Sequence, residues 1–92
     1  MERREDRMMC YSIIAMRLKQ RVQTATTVQE ILTKFGCNIK TRLGLHDVSE
    51  DYCSNDGLVI LQVCGDTKEL DAMLDALNEV SGVKAKMIDL ND

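Results

Sequence analysis

The sequence predicts an α+β protein with a ferredoxin-like fold, a βαββαβ sandwich in which two helices cover one face of a four-stranded antiparallel sheet. Three observations carry this prediction. The hydrophobic patterns follow the order strand, helix, strand, strand, helix, strand. The 92 residues are enough for one hydrophobic core and too few for two. Two of the predicted strands are continuously apolar, as central strands are, and the other two carry lysines, as edge strands do.

The first half of the chain shows a strand, a helix and a second strand. Residues 8–18 are apolar at alternating positions on both sides, which is typical of a strand covered on both faces. From Arg21 to Phe35 the apolar residues recur at every third or fourth position, which predicts a helix that stops at Gly36. Residues 39–48 alternate between apolar and polar and predict the second strand. The apolar positions of the helix are Val22, Ala25, Val28, Leu32 and Phe35.

The second half repeats this order after a segment rich in turn-forming residues. Residues 49–57 end in Asp-Gly, which predicts a turn before an apolar third strand at residues 58–64. Asp66 and Glu69 have the spacing of a capping box at the start of a helix. Residues 83–90 begin with period-two alternation and predict the fourth strand. The second helix has apolar positions at Leu70, Met73, Leu74, Leu77 and Val80, and Gly82 follows it.

The distribution of lysines indicates the order of the strands in the sheet. Right-handed crossovers of two strand-helix-strand units place strands one and three in the centre. Strands two and four carry Lys40, Lys84 and Lys86, which protect exposed edges from pairing. We therefore expect one ferredoxin-like domain over residues 8–92, preceded by a charged, flexible arm over residues 1–7.

Charge and composition argue against several classes of partner. The formal net charge is -3, and aromatic residues make up only 3% of the chain. A phosphate backbone needs a basic surface, and single-stranded bases need aromatic platforms, so we expect no direct binding of nucleic acid. No apolar run approaches the roughly 20 residues that span a bilayer, and the N-terminus lacks a signal-peptide pattern. We expect a soluble, cytoplasmic protein without membrane contact. Its four scattered cysteines are expected to be reduced thiols.

The sheet is predicted to be apolar on the face that the helices leave uncovered. Strand one offers Tyr11, Ile13 and Ala15 on one side while its other side is also apolar. Because a large apolar face is rarely left in water, we expect a homo-oligomer, either a dimer or a larger assembly. The alternative is that the N-terminal arm or edge side chains cover this face.

Two residues suggest a metal site. His46 is the single histidine, near the end of strand two, and Cys53 follows in the turn-rich segment. Imidazole and thiolate suit zinc, nickel or copper, but one copy supplies too few ligands, so such a site would be completed across a subunit interface. The favoured interpretation is a partly exposed histidine and a loop thiol. No nucleophile, base and orienting residue can be assembled, and we expect no enzymatic activity.

Three short segments carry a resemblance to a known family. Residues 41–46 read Thr-Arg-Leu-Gly-Leu-His, residues 57–61 read Gly-Leu-Val-Ile-Leu, and residues 81–84 read Ser-Gly-Val-Lys. Together they resemble the small regulators of the iron-only hydrogenase system, over nearly the whole chain from Tyr11 to Leu90. The resemblance implies a ferredoxin-like oligomeric domain, similar to ACT regulatory domains and to the C-terminal domain of the nickel-responsive repressor.

The chain departs from these relatives in two ways. Amino-acid-binding ACT domains have an acidic, glycine-containing turn after strand one, whereas residues 19–22 here read Lys-Gln-Arg-Val. The nickel-responsive repressor has a DNA-binding segment before this domain, and its nickel site uses several histidines. We expect a sensing module without its own DNA-binding domain, so that any transcriptional role requires a protein partner.

The leading hypothesis is therefore a small oligomeric regulatory or ligand-sensing module. A small-molecule ligand is expected at the subunit interface, near the turn after strand one or at the end of strand two. Glycine weakens a strand, and a close approach of the backbone to a ligand or neighbour would explain Gly44. No cofactor is indicated. The alternatives are a metal sensor that uses His46 and Cys53, and a purely structural oligomerisation module. The candidate ligand-binding residues are Lys19, Arg21, Arg42, Gly44 and His46.

Overall fold

The computed structural model describes residues 9–19, 21–48 and 53–92, and the side chains of all of these except residues 9, 21–23, 45–48 and 53–55. The predicted N-terminal arm, residues 1–7, lies outside the described residues. The elements follow the predicted order, and a short 3-10 turn, Gly36–Asn38, precedes the second strand. They are β1 (Met9–Leu18), α1 (Arg21–Lys34), β2 (Ile39–Val48), β3 (Cys53–Gly65), α2 (Thr67–Asn78) and β4 (Val83–Asp89).

The strands form one antiparallel sheet in the order β2-β3-β1-β4, which confirms the predicted ferredoxin-like arrangement. The central strands β1 and β3 pair with each other over most of their lengths. Because β1 and β2 both run antiparallel to β3, their last residues lie at the same end of the sheet. The predicted edge lysines Lys40, Lys84 and Lys86 are exposed on β2 and β4.

The hydrophobic core lies between the two helices and one face of the sheet. Side chains from β1 and β3 form the side of the core that belongs to the sheet, and side chains from both helices form the opposite side. Burial of this many aliphatic side chains is the main favourable contribution to folding, at roughly 1.5–3 kcal/mol for each full side chain. The most completely buried members are Ile14, Met16, Leu61, Val63, Leu70, Met73 and Leu77.

Polar side chains form hydrogen bonds at both ends of helix α2. The Asp66 side chain accepts a hydrogen bond from the Glu69 backbone N–H at 2.8 Å, and Glu69 accepts from the Asp66 N–H at 3.4 Å. This confirms the predicted capping box. At the other end, the Asn78 side chain donates to the Ala85 carbonyl and accepts from the Ala85 N–H, at 2.9 and 2.7 Å. This pair of bonds fixes the end of α2 against β4.

Two details of the sequence-based prediction are wrong. Asp56 and Gly57 do not form a turn, because they lie inside β3, where Gly57 pairs with both Leu18 and His46. Pairing with a strand on each side outweighs the local preference of Asp-Gly for a turn. In α1, Ala25 is exposed rather than part of the buried face, and Ile31 packs against the core beside Val28 and Leu32.

The cysteines also differ from expectation. Cys10 on β1 and Cys64 on β3 form a disulfide bond, so the prediction of reduced thiols is wrong for this pair. The sheet register brings together two residues that are 54 positions apart in the sequence. Cys37 is a free, exposed thiol in the 3-10 turn.

Within the described residues, none of the helices has the length and apolar character needed to cross a membrane.

Candidate ligand cleft and open sheet face

A cleft lies at the end of the sheet where β1 leads into α1. The Lys19 backbone N–H donates to the Gly82 carbonyl at 2.8 Å, which joins the β1–α1 turn to the α2–β4 turn. The cavity between these segments has a volume of about 730 Å³. It is lined by Lys19, Thr24, Thr27, Asp56, Val80, Ser81 and Gly82.

Thr24 lines the cleft and carries a hydroxyl group without a hydrogen-bond partner among the described residues. This oxygen is buried. A buried polar atom without a partner costs roughly 1–3 kcal/mol, and such atoms are rare in native structures. A bound molecule that pairs with Thr24 would remove this cost. The hydroxyls of Thr27 and Ser81 line the same cleft.

Gly82 is the point at which the two turns of the cleft meet. Its φ of +89° lies in the region that favours glycine. A β-carbon at this position would lie 3.3 Å from the Lys19 carbonyl oxygen and 3.4 Å from the Thr24 methyl carbon. The absence of a side chain at Gly82 therefore allows the close contact that shapes the cleft.

The charge in the cleft comes from Lys19 and Asp56. Asp56 forms an ion pair with Arg17 at 2.8 Å, and the Arg17 side chain is well exposed, so this pair contributes little stability. Lys19 is exposed, and its ammonium group has no acidic partner within the described part of the chain. Lys19 is thus a cation that a ligand in the cleft could neutralise.

The structure brings most of the sequence-predicted ligand residues to one end of the sheet. Lys19 lines the cleft, and Arg21 is the first residue of α1 beside it. His46 pairs with Gly57, which also pairs with the last residue of β1, so the ends of β1 and β2 flank the same residue. Gly44 lies on β2 with open space where its β-carbon would be. No close approach to Gly44 occurs among the described residues, and a neighbour there stays a prediction.

Arg42 lies in a different groove. Its Nη1 donates to the Gln29 side-chain oxygen at 2.7 Å, which holds the guanidinium against α1. The groove has a volume of about 610 Å³. Arg42 is thus placed by the structure beside the outer face of α1 and apart from Lys19. The groove is lined by Ala25, Thr26, Gln29, Glu30, Thr33 and Arg42.

The two proposed metal ligands lie on neighbouring strands. Cys53 pairs with Val48, which is two residues after His46 in β2. Their side chains are outside the described set. Among the residues whose side chains are described, no group of three or more histidine, cysteine or acidic residues could hold a metal ion.

Sequence reasoning missed the hydroxyl-bearing residues of the cleft. Thr24 and Thr27 belong to a threonine-rich stretch that is a mediocre helix former. This unfavourable helix composition was the one sequence feature that could have indicated a functional role for these residues. Ser81 and Gly82 follow α2, where a glycine ordinarily indicates only a helix end. No local sequence pattern indicates that these two turns touch, because the contact depends on the pairing of β1 with β4.

The face of the sheet opposite the helices is apolar and open. This confirms the predicted second apolar face. Tyr11 is 67% exposed, Leu90 62%, Leu43 52% and Ile88 51%. A shallow depression of about 350 Å³ crosses this surface. We call this face of the sheet the open face. The residues that line its depression are Tyr11, Ile13, Thr41, Leu43, Ile60, Gln62 and Leu90.

The residues after β4 fasten one end of the open face. The Leu90 N–H donates to the Tyr11 carbonyl at 2.9 Å, and the Asn91 side-chain oxygen accepts from the Tyr11 N–H at 3.0 Å. The Asn91 amide nitrogen donates to the hydroxyl of Ser12, which is buried, at 3.0 Å. Asn91 therefore holds the chain after β4 against β1.

Replacing Asn91 by alanine is expected to lower the free energy of unfolding by about 1–3 kcal/mol, because the buried Ser12 hydroxyl and the Tyr11 N–H lose their partner. Urea unfolding followed by circular dichroism measures the change. Asp92→Ala, one position later and exposed, is the matched control and should leave stability unchanged. Equal stability of Asn91→Ala and the wild type would contradict the role of Asn91.

The same substitution has a separate signature at Asp89. The backbone N–H and the side-chain amide of Asn91 both donate to this carboxylate, at 2.9 and 2.7 Å, and they lower the pKa of Asp89 below 3.8. A lowered folded-state pKa stabilises the fold above the unfolded-state pKa, and the contribution disappears as the pH falls through the folded value. In Asn91→Ala the pKa should move part of the way toward 3.8, which NMR titration measures.

Comparison with known proteins gives no match to a family model and no match among curated proteins. Solved structures do match. An uncharacterized protein from Thermotoga maritima is 26% identical, with a TM-score of 0.76, over 92% of this chain and 98% of that one.

Two further solved structures share the fold at lower identity. The ACT domain of GTP pyrophosphokinase from Chlorobium tepidum is 19% identical, with a TM-score of 0.64, over 84% of this chain and 95% of that one. CPII, a nitrogen regulatory PII-like protein from Thiomonas intermedia K12, is 11% identical, with a TM-score of 0.56, over 92% of this chain and 94% of that one. The fold is the ferredoxin-like fold found in ACT and PII-like domains.

Proposed function

We propose that this chain is a small ligand-sensing regulatory module that binds its ligand in the cleft and acts by binding rather than by catalysis. The observation that carries the proposal is the cleft of about 730 Å³, because one of its lining residues, Thr24, has a buried hydroxyl without a partner among the described residues. The fold shared with ACT and PII-like domains supports a regulatory role.

The residues of the cleft favour a small polar ligand that carries a negative charge. Lys19 supplies a positive charge without an acidic partner among the described residues, and Thr24, Thr27 and Ser81 supply hydroxyls. Such groups suit a carboxylate or phosphate, since ammonium and hydroxyl donors both stabilise an anionic oxygen. CPII has been solved with ADP, AMP and bicarbonate, which supports including nucleotides and small anions among the probes.

Binding is expected to raise the melting temperature, because a ligand that binds only the folded state stabilises it. A thermal-shift panel of amino acids, adenine nucleotides, bicarbonate and phosphate identifies the ligand, and calorimetry gives its affinity. Thr24→Val, which keeps the shape and removes the hydroxyl, should weaken binding at least tenfold. Thr33→Val, an exposed position on the same helix, is the matched control. Equal affinity of Thr24→Val and the wild type would contradict a site in the cleft.

The same panel separates the alternatives when zinc, nickel and copper ions are added. A metal sensor would bind one of these ions stoichiometrically, and His46→Ala would abolish the binding. No metal bound, and no effect of His46→Ala, would end that alternative. A purely structural module would respond to none of the probes. Binding of an organic ligand that requires Thr24 would favour the ligand-sensing module over both.

We further propose that two copies assemble through the open face. The apolar side chains Tyr11, Ile88 and Leu90 gather toward one end of this face, and the cations Lys84 and Lys86 lie on β4 toward the other. If two copies pair about a twofold axis at the apolar end, the lysines of each copy point away from those of its partner. Self-pairing then buries the apolar surface without requiring an acidic partner.

Ile88→Lys is expected to convert the dimer to a monomer, because Ile88 is 51% exposed at the apolar end of the open face and a lysine there would place a charge in the contact. Sedimentation equilibrium should show a dissociation constant raised at least 100-fold. The matched control is Thr33→Lys on the outer face of α1, which should leave the dimer intact. A wild-type protein that stays monomeric at millimolar concentration would contradict the assembly.

The resemblance to the regulators of the iron-only hydrogenase system supports a finer proposal. The chain would act in that system through a protein partner. Its gene should then lie among those of an iron-only hydrogenase or its maturation proteins. Deleting the gene should change hydrogenase activity in cell extracts. A genome that contains this gene and no such hydrogenase would contradict the assignment.

A further inference from the structure

We infer that Cys10 and Cys64 form a reversible thiol–disulfide site, which exchanges with small dithiols and so ties or releases the first residues of β1. The two residues lie on the adjacent central strands, with their α-carbons 4.0 Å apart. Neither residue is fully buried, which favours access by a small reagent. This inference does not depend on the proposed ligand or on the dimer.

The disulfide lies where the hydrogen-bonded ladder between β1 and β3 is irregular. The register passes from the pair Met9–Gly65 to the pair Ser12–Val63 with a shift between them, and Cys10 falls in the shifted stretch. A bulge leaves local ladder bonds unmade. The disulfide bond therefore joins β1 and β3 at a point where their backbone hydrogen bonds are irregular.

Side-chain hydrogen bonds position both cysteines independently of their sulfur atoms. Gln62 donates its amide to the Cys10 carbonyl at 2.8 Å, and Asn38 donates its amide to the Cys64 carbonyl at 3.0 Å. These bonds persist when the sulfur atoms are reduced. The two thiols would then remain close enough for the disulfide to form again.

The exchange is a two-electron reaction with a dithiol as the co-reactant. One thiolate of the dithiol attacks a sulfur atom of the pair, which breaks the Cys10–Cys64 bond and forms a mixed disulfide. The second thiol of the reagent then attacks that mixed disulfide. The protein gains two thiols, and the dithiol, having given up two electrons and two protons, leaves as a cyclic disulfide. The cyclic disulfide reverses the reaction.

The consequence of reduction is confined to the start of β1. Tyr11 keeps its backbone bonds to Leu90 and Asn91, which do not involve the disulfide. Met9 and Cys10, in contrast, lose their covalent connection to β3. Reduction should therefore speed amide hydrogen exchange at these two residues at least tenfold while leaving Ile14 and Leu61 in the core protected.

The test uses the full chain with Cys37→Ser and Cys53→Ser, so that only Cys10 and Cys64 can react. The protein is equilibrated without oxygen in reduced dithiothreitol or in its cyclic disulfide, then alkylated and weighed by mass spectrometry. We expect two alkyl groups after reduction and none after oxidation. The melting temperature of the oxidised form should be about 10 °C higher, because a cross-link over a long loop restricts the unfolded chain.

Adding Cys10→Ser to this background is the matched control, and its melting temperature should not respond to the dithiol. Two alkyl groups after oxidation would overturn the inference, as would a pair that dithiothreitol fails to reduce in the folded protein. If the two serine substitutions prevent folding, peptide mapping of the alkylated wild type gives the same result by identifying which cysteines were protected.

Discussion

Replacing Leu61 by alanine is expected to lower the free energy of unfolding by about 3 kcal/mol. Leu61 is fully buried in the middle of β3 and pairs with Ile14 on β1. The loss includes the transfer energy of the missing carbon atoms and the cost of the cavity they leave. Native domains have only about 5–15 kcal/mol of stability, so the melting temperature should fall by roughly 12 °C or more.

Leu58→Ala is the matched control, because Leu58 lies on the same strand but is 40% exposed on the open face. In a monomer its substitution should cost under about 1 kcal/mol, since little apolar area returns to water. Calorimetry on dilute samples measures both variants while limiting the effect of any dimer. Equal losses at positions 58 and 61 would contradict the assignment of the two faces of β3.

Replacing Gly65 by alanine is expected to cost about 2–4 kcal/mol. Gly65 has a φ of +151°, a conformation that other residues rarely adopt. A β-carbon there would lie 2.7 Å from the Asn38 side-chain nitrogen and 2.9 Å from the Glu69 side-chain oxygen. Both side chains would have to move, which would disturb the Asn38 bond to Cys64 and the bond of the capping box that the Glu69 side chain accepts.

The matched control is Gly44→Ala, since nothing lies within 4 Å of a β-carbon at Gly44 and its φ is not positive. This change should be neutral or stabilise by up to about 1 kcal/mol, because alanine restricts the unfolded chain. Urea unfolding compares the two variants. A Gly65→Ala protein as stable as the wild type would show that the backbone at the β3–α2 joint relaxes freely.

Local patterns in the sequence were sufficient for most of the fold. The alternation of residues 39–48 predicted β2 with its observed ends, and the Asp66–Glu69 spacing predicted the start of α2. These signals succeed because they depend on neighbours within a few positions. The beginning of β3 was missed because residues 53–57 become a strand through pairing with β2 and, at Gly57, with β1, which no local pattern records.

The candidate site was only partly predictable for the same reason. Lys19 was predicted because it lies in the turn after strand one, where a ligand was expected from the sequence. Thr24 and Ser81 were not predicted, because their position beside Lys19 depends on how two distant turns approach each other. The Cys10–Cys64 bond likewise depends on the register of β1 against β3. The apolar open face was predictable, because period-two patterns reveal both faces of a strand.

The hydrogen bond from Lys19 to Gly82 has a consequence for the order of folding. It joins residues separated by most of the chain, so the cleft exists only after the first and last strands have paired. Contacts of such long range form late and slow the folding reaction. A ligand in the cleft would thus report that the chain is completely folded. Two fragments cut within residues 49–52 would create the binding site only by reassociating, and ligand binding would drive their complementation.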